Sequence, residues 1–291
     1  EVLTSVKATS ESLSTMTVLA NTGGQAVIDA ADVLADVIDE LAEMGNSGEG
    51  TSTRQPDWSY NYDLDALVLE LENETTGEMI SASASYQGEQ LVVAWGATLM
   101  GENDATVSLV TADTQAQALE DCVDFAAGTI DATQIDSCLI FTFDGAVNAD
   151  TIDDAEIIDT QAWNHVEIMD GDSGFTGMLN LTATEESDSS SITLEGMSGD
   201  LDFKVMGMVD SSGDEDESTL EVMVKGDAAM GYTLSLTGME STGYTGDVKA
   251  MYNGEMMSFG TASKVTNGVS ITYIDGDVVP YTDVDLIDAS K

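Results

Sequence analysis

The stretch DLDFKVMGMVDSSGDEDESTLEVMVKG, residues 200–226, decides the fold class. In its first half Leu201, Phe203, Val205 and Val209 alternate with Lys204, Met206 and Met208; in its second half Leu220, Val222 and Val224 oppose Glu221, Met223 and Lys225. A period of two sends successive side chains to opposite faces, so each half reads as a strand with one aliphatic face to bury and one mixed face. Between them, DSSGDEDES places Asp210, Asp214, Glu215, Asp216 and Glu217 together. Like charges at that density suit a hairpin tip, where water and salt screen them.

The same alternation continues in both directions. FTGMLNLTA and SITLEGM precede this stretch, and YTLSLTGM, YTGDVKAMY, EMMSFGTA and GVSITYI follow it, separated by short polar turns. Asn253-Gly254 and Asn267-Gly268 are strong hairpin signals,. This predicts an antiparallel meander over 161–291. Gly-Phe-Thr-Gly at 174–177 and Gly-Tyr-Thr-Gly at 243–246 are too short to establish a duplication.

A mixed region over 58–160 comes before it. Leu67, Leu69 and Leu71, then Ile80, Ala82, Ala84 and Tyr86, then Leu91, Val93, Trp95, Ala97 and Leu99 each keep the strand period,. A helix is predicted at about 114–126, with Ala116, Leu119 and Val123 inward and Asp113 or Thr114 as its cap,. CLIFTF reads as a strand, NADTIDDAEIID as an acidic segment with helical character, and WNHVEIM as a strand.

The first 45 residues read differently. Val27, Ala31, Leu34, Ile38 and Leu41 step by four and three, Asp29, Asp32, Asp36, Glu40 and Glu43 take the opposite face, and Gly45 is a natural stop,. Residues 1–24 are ambiguous: Val6, Leu13, Met16 and Ala20 suit a helix, whereas LSTMTVL also alternates as a strand would. NSGEGTSTRQPD, residues 46–57, has the composition of a linker or loop,. The expected class is α+β, mainly β: an N-terminal helical segment, then a long meander forming a curved sheet, sandwich or barrel, with 58–160 and 161–291 sharing one core.

Charge bounds the partners. Against 55 acids stand 7 bases, a formal net charge of −48. Such a polyanion is repelled by nucleic acid and by anionic membranes, and its self-repulsion calls for salt or cations, as in a saline or marine exterior. Arg54 is the sole arginine, and from Gln55 to Phe203 there is neither lysine nor arginine. Arginine-clamp chemistry on phosphates is thereby confined to one residue beside Pro56. The same gap removes trypsin-like cleavage sites, which suits an exposed surface protein.

Cys122 and Cys138, sixteen positions apart, are expected to form a disulfide, hence an oxidising compartment,. The chain opens at Glu1 without methionine, which suits a leader already removed, and no apolar run of about 18 residues could span a bilayer as a helix,. The expected location is secreted, cell-surface or periplasmic.

Candidate chemistry is sparse. His165 shares a strand face with Trp163 and reads as a half-buried packing residue,. No GxSxG elbow occurs, and with 55 acids a glycosidase-like carboxylate pair carries no information,. The methionines, most of them after Met169, suit packing under a helix or a neighbouring subunit better than a copper site,. Calcium is the one metal considered, at the acidic loops holding Asp170 and Asp172, Asp214 and Asp216, and Asp275 and Asp277 (with Asp283 and Asp285 beyond), none of which has EF-hand spacing,. Otherwise no cofactor is expected. Asn73 and Asn180 open short glycosylation sequons,.

The function expected from these observations is an exported, acid-surfaced, non-catalytic structural protein that self-assembles into a filament, surface layer or matrix, with copies of itself and cations as partners. The alternative is a periplasmic or surface lipoprotein-like carrier that holds a hydrophobic ligand in a curved sheet; a second alternative is a hydrolase with a carboxylate site.

Overall fold

The computed structural model describes residues 1–44, 47–63, 66–101, 104–110, 114–171, 173–184, 187–225, 231–239 and 241–284. Two helices open the chain, α1 (Val2–Ser10) and α2 (Leu13–Met44). The ambiguity over residues 1–24 resolves as helix: LSTMTVL lies in α2, where Leu13, Met16 and Ala20 share one stripe with Val27 and Leu34, all without exposure. At 1.5 Å per residue α2 is about 48 Å long. Its buried positions cover most of its circumference, leaving a polar strip that holds Asp29, Asp32 and Asp36,.

The sheet follows. Its first strands are β1 (Gly48–Thr51), β2 (Trp58–Asp63), β3 (Val68–Asn73), β4 (Met79–Gln87), β5 (Gln90–Met100) and β6 (Thr106–Leu109). After α3 (Gln115–Ala126) come β7 (Ser137–Phe143), β8 (Ile157–Asp170) and β9 (Ser173–Thr184). The meander continues as β10 (Ser189–Ser198), β11 (Leu201–Asp210), β12 (Glu217–Lys225), β13 (Tyr232–Met239), β14 (Gly243–Tyr252), β15 (Glu255–Val265), β16 (Gly268–Tyr273) and β17 (Val278–Thr282). Among the described residues these 17 strands form one antiparallel sheet. The α+β, mainly β class and the long meander are therefore what the structure shows. Consecutive strands pair throughout except at β6 and β7, which lie end to end between β5 and β8, so that each fills half of that space.

The register explains the alternation. Val205 stands opposite Val222 and Leu194, and Leu220 opposite Leu236, so inward residues of successive strands line one continuous aliphatic floor. Asn253 and Gly254 both have positive φ, 52° and 83°, the geometry of a type I′ hairpin turn,. The sheet rolls around α2, which packs against β5, β8, β9, β10, β11 and β17. Side chains of α1, α2 and the strands from β2 to β17 join in one apolar cluster. Each fully buried Leu, Val or Phe there stabilises the fold by about 1.5–3 kcal/mol.

Gly23 and Gly24 sit mid-helix because the sheet comes closest there. A Cβ on Gly23 would collide with Ile168 of β8, and one on Gly24 with Ile192 of β10. The outward face of β10–β12 carries Glu195 between Lys204 and Lys225. Charges at mid-strand mark this face as one that meets water and not lipid.

Several elements depart from the sequence pattern. The 46–57 segment contains β1, and Leu67 lies in the turn before β3 with φ 49°. Strands β6 and β17 had no signal long enough to predict them. NADTIDDAEIID forms a 3₁₀ turn at Ile152–Asp154 and then enters β8. Thr114 caps α3, accepting from Gln117 N at 3.3 Å; Asp113 lies outside the described residues. Ala116, placed inward by the periodicity, is exposed, and Ala118 packs with Cys122 instead.

Helix α3 lies on the outer face of β5 and β7, over Val92, Ala94 and Cys138, and the Cys122–Cys138 disulfide ties it down with the two Cα atoms 5.7 Å apart. No described helix is long and apolar enough to cross a membrane.

Candidate binding cleft

Where α2 meets the start of β10, the sheet stands away from the helix. Inward positions that hold Ile192 and Leu194 farther along β10 hold Ser190 here, and β8 presents Ala162. These short side chains leave a cleft of about 630 Å³ between Ile28 and Ala31 of α2 and Leu139 and Leu181 of β7 and β9. That volume suits a small molecule or one chain of an amphiphile.

Two polar groups distinguish the cleft. Ser190 is only 8% exposed, and its hydroxyl finds no hydrogen-bond partner. Leaving a buried hydroxyl unsatisfied costs about 1–3 kcal/mol, so Ser190 leaves unused hydrogen-bonding capacity in the cleft wall,. Asp32, on the helix side, is exposed at the opening, and its carboxyl is held above the usual range, first by partial desolvation against the cleft wall and then by Asp29 and Asp36 one turn away on each side,. Across the mouth, Asp159 accepts from Gln161 Nε2 at 2.8 Å and from Thr184 Oγ1 at 3.5 Å. The described lining includes Asp32, Asp159 and Asp188 and no lysine or arginine.

A smaller space of about 360 Å³ lies farther along α2, towards its C-terminal end, between Ile38, Leu41 and strands β2–β5, where Ala82 and Ala84 leave room. The C-terminal end of α2 is also where Glu40, assigned to the solvent face by the helical period, is buried instead. Its carboxylate accepts from Ser52 Oγ at 2.7 Å and from Thr53 N at 3.0 Å. Burial opposes ionisation, but these bonds outweigh it and hold Glu40 below the usual glutamate range. Arg54 pairs with Asp39, and Gln55 Nε2 donates to Asp36 at 2.6 Å. The one arginine thus fastens the 52–55 loop to α2.

The candidate calcium residues are scattered. Asp275 and Asp277 both meet Lys7, at 2.7 and 2.6 Å from Nζ. Their turn is a docking point for α1. Beside it Tyr273 OH donates to Ser10 Oγ at 3.0 Å, Ser10 shares a 2.9 Å bond with Tyr232, and Tyr273 shares a 2.6 Å bond with Tyr281. Asp214 and Asp216 are exposed in the β11–β12 turn, where Asp210 accepts from Ser212 and Glu215 from Ser241. Asp170 ends β8; Asp172 and Asp285 lie outside the described residues. Among the described residues no three carboxylate, cysteine or histidine side chains gather in a metal-binding group.

Asn73 is buried and uses its Oδ1 to accept from Thr75 N at 3.0 Å and Thr76 N at 3.1 Å, closing the β3–β4 turn. Asn180 sits mid-strand in β9 with its side-chain oxygen covered and unpartnered. His165 is half-buried on the outer face, with Nε2 3.5 Å from the Ala132 carbonyl, while Trp163 stacks edge-on against Phe125 of α3. Of the mixed-face methionines, Met197 and Met208 are exposed, whereas Met206 and Met223 are half-buried.

In the sequence Asp32 reads only as one acid of the polar helix face, and Ser190 carries no motif. The signal for Ser190 is its parity: it shares a face with Ile192 and Leu194, where a serine is out of place. Compared with known protein families, curated proteins and solved structures, the chain matches none.

Proposed function

We propose that the protein is an exported binding module, a carrier or receptor, whose cleft takes a small ligand with an apolar body. The observation that carries this reading is the buried, unpartnered Ser190 hydroxyl in a cleft walled by Ile28, Leu139 and Leu181. The apolar side chains of the wall supply affinity, and the unpartnered Ser190 hydroxyl helps to fix orientation,. The disulfide and the acidic surface support a location outside the cytoplasm,. Nile red, a neutral apolar dye, tests the reading: uptake should saturate at one dye per chain and vanish in Ala183→Trp, which fills the mouth from an exposed position. Equal uptake by both proteins would reject the cleft.

A second reading, self-assembly, is favoured by a different observation. At the end formed by β14–β17, Tyr252, Met256, Met257, Ile274 and Val278 are exposed, Ile274 by 65% and Val278 by 62%. Exposed apolar groups gathered at one end mark a contact surface. Light scattering in high and low salt, with and without calcium, tests it; a monomer under every condition would reject it.

A further inference from the structure

We propose that the ligand of the cleft carries a cationic head, such as a primary or quaternary ammonium, set against Asp32 with its apolar body on Ile28, Leu139 and Leu181. The inference rests on the cleft being a binding site. It starts from charge. Asp29, Asp32 and Asp36 line the polar strip of α2 beside the opening, and Asp159 and Asp188 stand on the sheet side. The sheet walls come from 139–211. Of the bases in that span only Lys204 occurs, and it is engaged with Glu195 on the outer face. The base-free run from Gln55 to Phe203 thereby acquires a structural consequence: β7, β8, β9 and β10, the strands that build the cleft, bring no lysine or arginine to it.

An anionic head would face Asp32, Asp159 and Asp188 with no lysine or arginine to neutralise it, only the hydroxyls of the lining serines and threonines. A neutral head would leave Asp32 between Asp29 and Asp36 with its repulsion unrelieved. A cation relieves it, and beside the apolar side chains of Ile28, Leu139 and Leu181 the attraction is screened less than at the open surface,. Ser190 is the second, independent pointer: a buried hydroxyl without a partner inside the same walls. It stands opposite Ala183 and Val209 on the strand face it shares with Ile192, where alanine or valine would pack without an unpartnered hydroxyl,.

Because the whole chain carries −48, any cation will gather on it, and the experiment must separate the cleft from the bulk field. Isothermal titration at fixed ionic strength compares three probes with the same ten-carbon chain, all below their micelle concentrations: decyltrimethylammonium, decyl glucoside and decanoate. Tetramethylammonium serves as the head alone. Decyltrimethylammonium should bind with one site per chain and at least about tenfold more tightly than the other two, a difference of about 1.4 kcal/mol. Asp32→Asn should remove about tenfold of that affinity and leave decyl glucoside unchanged. Asp214→Asn, at the β11–β12 turn, should change nothing. Both variants alter exposed side chains, and their circular dichroism should match wild type.

Equal binding of the three probes, each blocked by Ala183→Trp, would overturn the cationic head and leave the cleft standing. Binding of decyltrimethylammonium weakened as much by Asp214→Asn as by Asp32→Asn, or as strong for tetramethylammonium, would reduce the effect to the bulk field and overturn the inference. If no decyl probe is blocked by Ala183→Trp, the cleft reading falls and the inference with it.

Discussion

The carboxylate of Glu40 accepts a 2.7 Å hydrogen bond from the hydroxyl of Ser52, in a site where Glu40 is only 5% exposed. This pair closes the C-terminal end of α2 onto the loop that leads into the sheet. Glu40→Gln places amide donors against the Thr53 and Arg54 amides, and it should destabilise the fold by about 2 kcal/mol. The folded-state value of Glu40 is depressed, so its contribution is present above the ordinary glutamate range and is lost as pH falls through the lower folded value,. Urea unfolding from pH 7 down to acid should show wild type losing its advantage over Glu40→Gln only in that acidic window.

Gly24 and Ile192 should show coupling. Gly24→Ala gains helix propensity but drives its Cβ into the Ile192 side chain,. Ile192→Val removes the methyl that it meets. The double mutant should be more stable than the sum of the singles by about 1 kcal/mol; additivity in urea unfolding would show that the helix and sheet relax freely.

Loss of the disulfide should act locally. Cys122 and Cys138 close a loop of 16 residues, which a chain-entropy estimate makes worth about 3 kcal/mol,. Because α3 lies on the outer face, the double Cys→Ser variant should lose hydrogen-exchange protection in α3 while β10–β13 stay protected. Equal loss across the sheet would contradict this separation.

The phenols of Tyr232 and Tyr281 are both held above the ordinary tyrosine range, by burial first in each; a bond to Ser10 lowers Tyr232 slightly, and the bond to Tyr273 raises Tyr281 further. Raised folded values mean that this stability is full below the unfolded tyrosine value of about 10 and declines as pH rises above it. Alkaline titration by ultraviolet absorbance should find these two still protonated when exposed tyrosines have ionised. A single transition for all 8 would contradict the buried cluster.

The architecture was largely legible from period alone. Strands such as β11 and β12 announce themselves because one face is continuously aliphatic and the other meets water. Three features were not legible for physical reasons. LSTMTVL satisfies both periods, and only the sheet wrapped around it selects helix. Glu40 carries a solvent-face residue type into a buried place because the 52–55 loop supplies donors that no helical pattern encodes. Asp275 and Asp277 resemble a cation loop in sequence, yet their cation is Lys7, hundreds of residues away along the chain. The cleft lay furthest from view. It arises from small residues on strands β8 and β10 meeting one side of α2, and no single segment holds it.

The most direct test of that cleft is native mass spectrometry of wild type and Ala183→Trp purified side by side from the native host in its own salt. Wild type should retain a small ligand that extraction removes and that Ala183→Trp never carries. Wild type and variant both free of ligand, or both carrying the same one, would contradict the account.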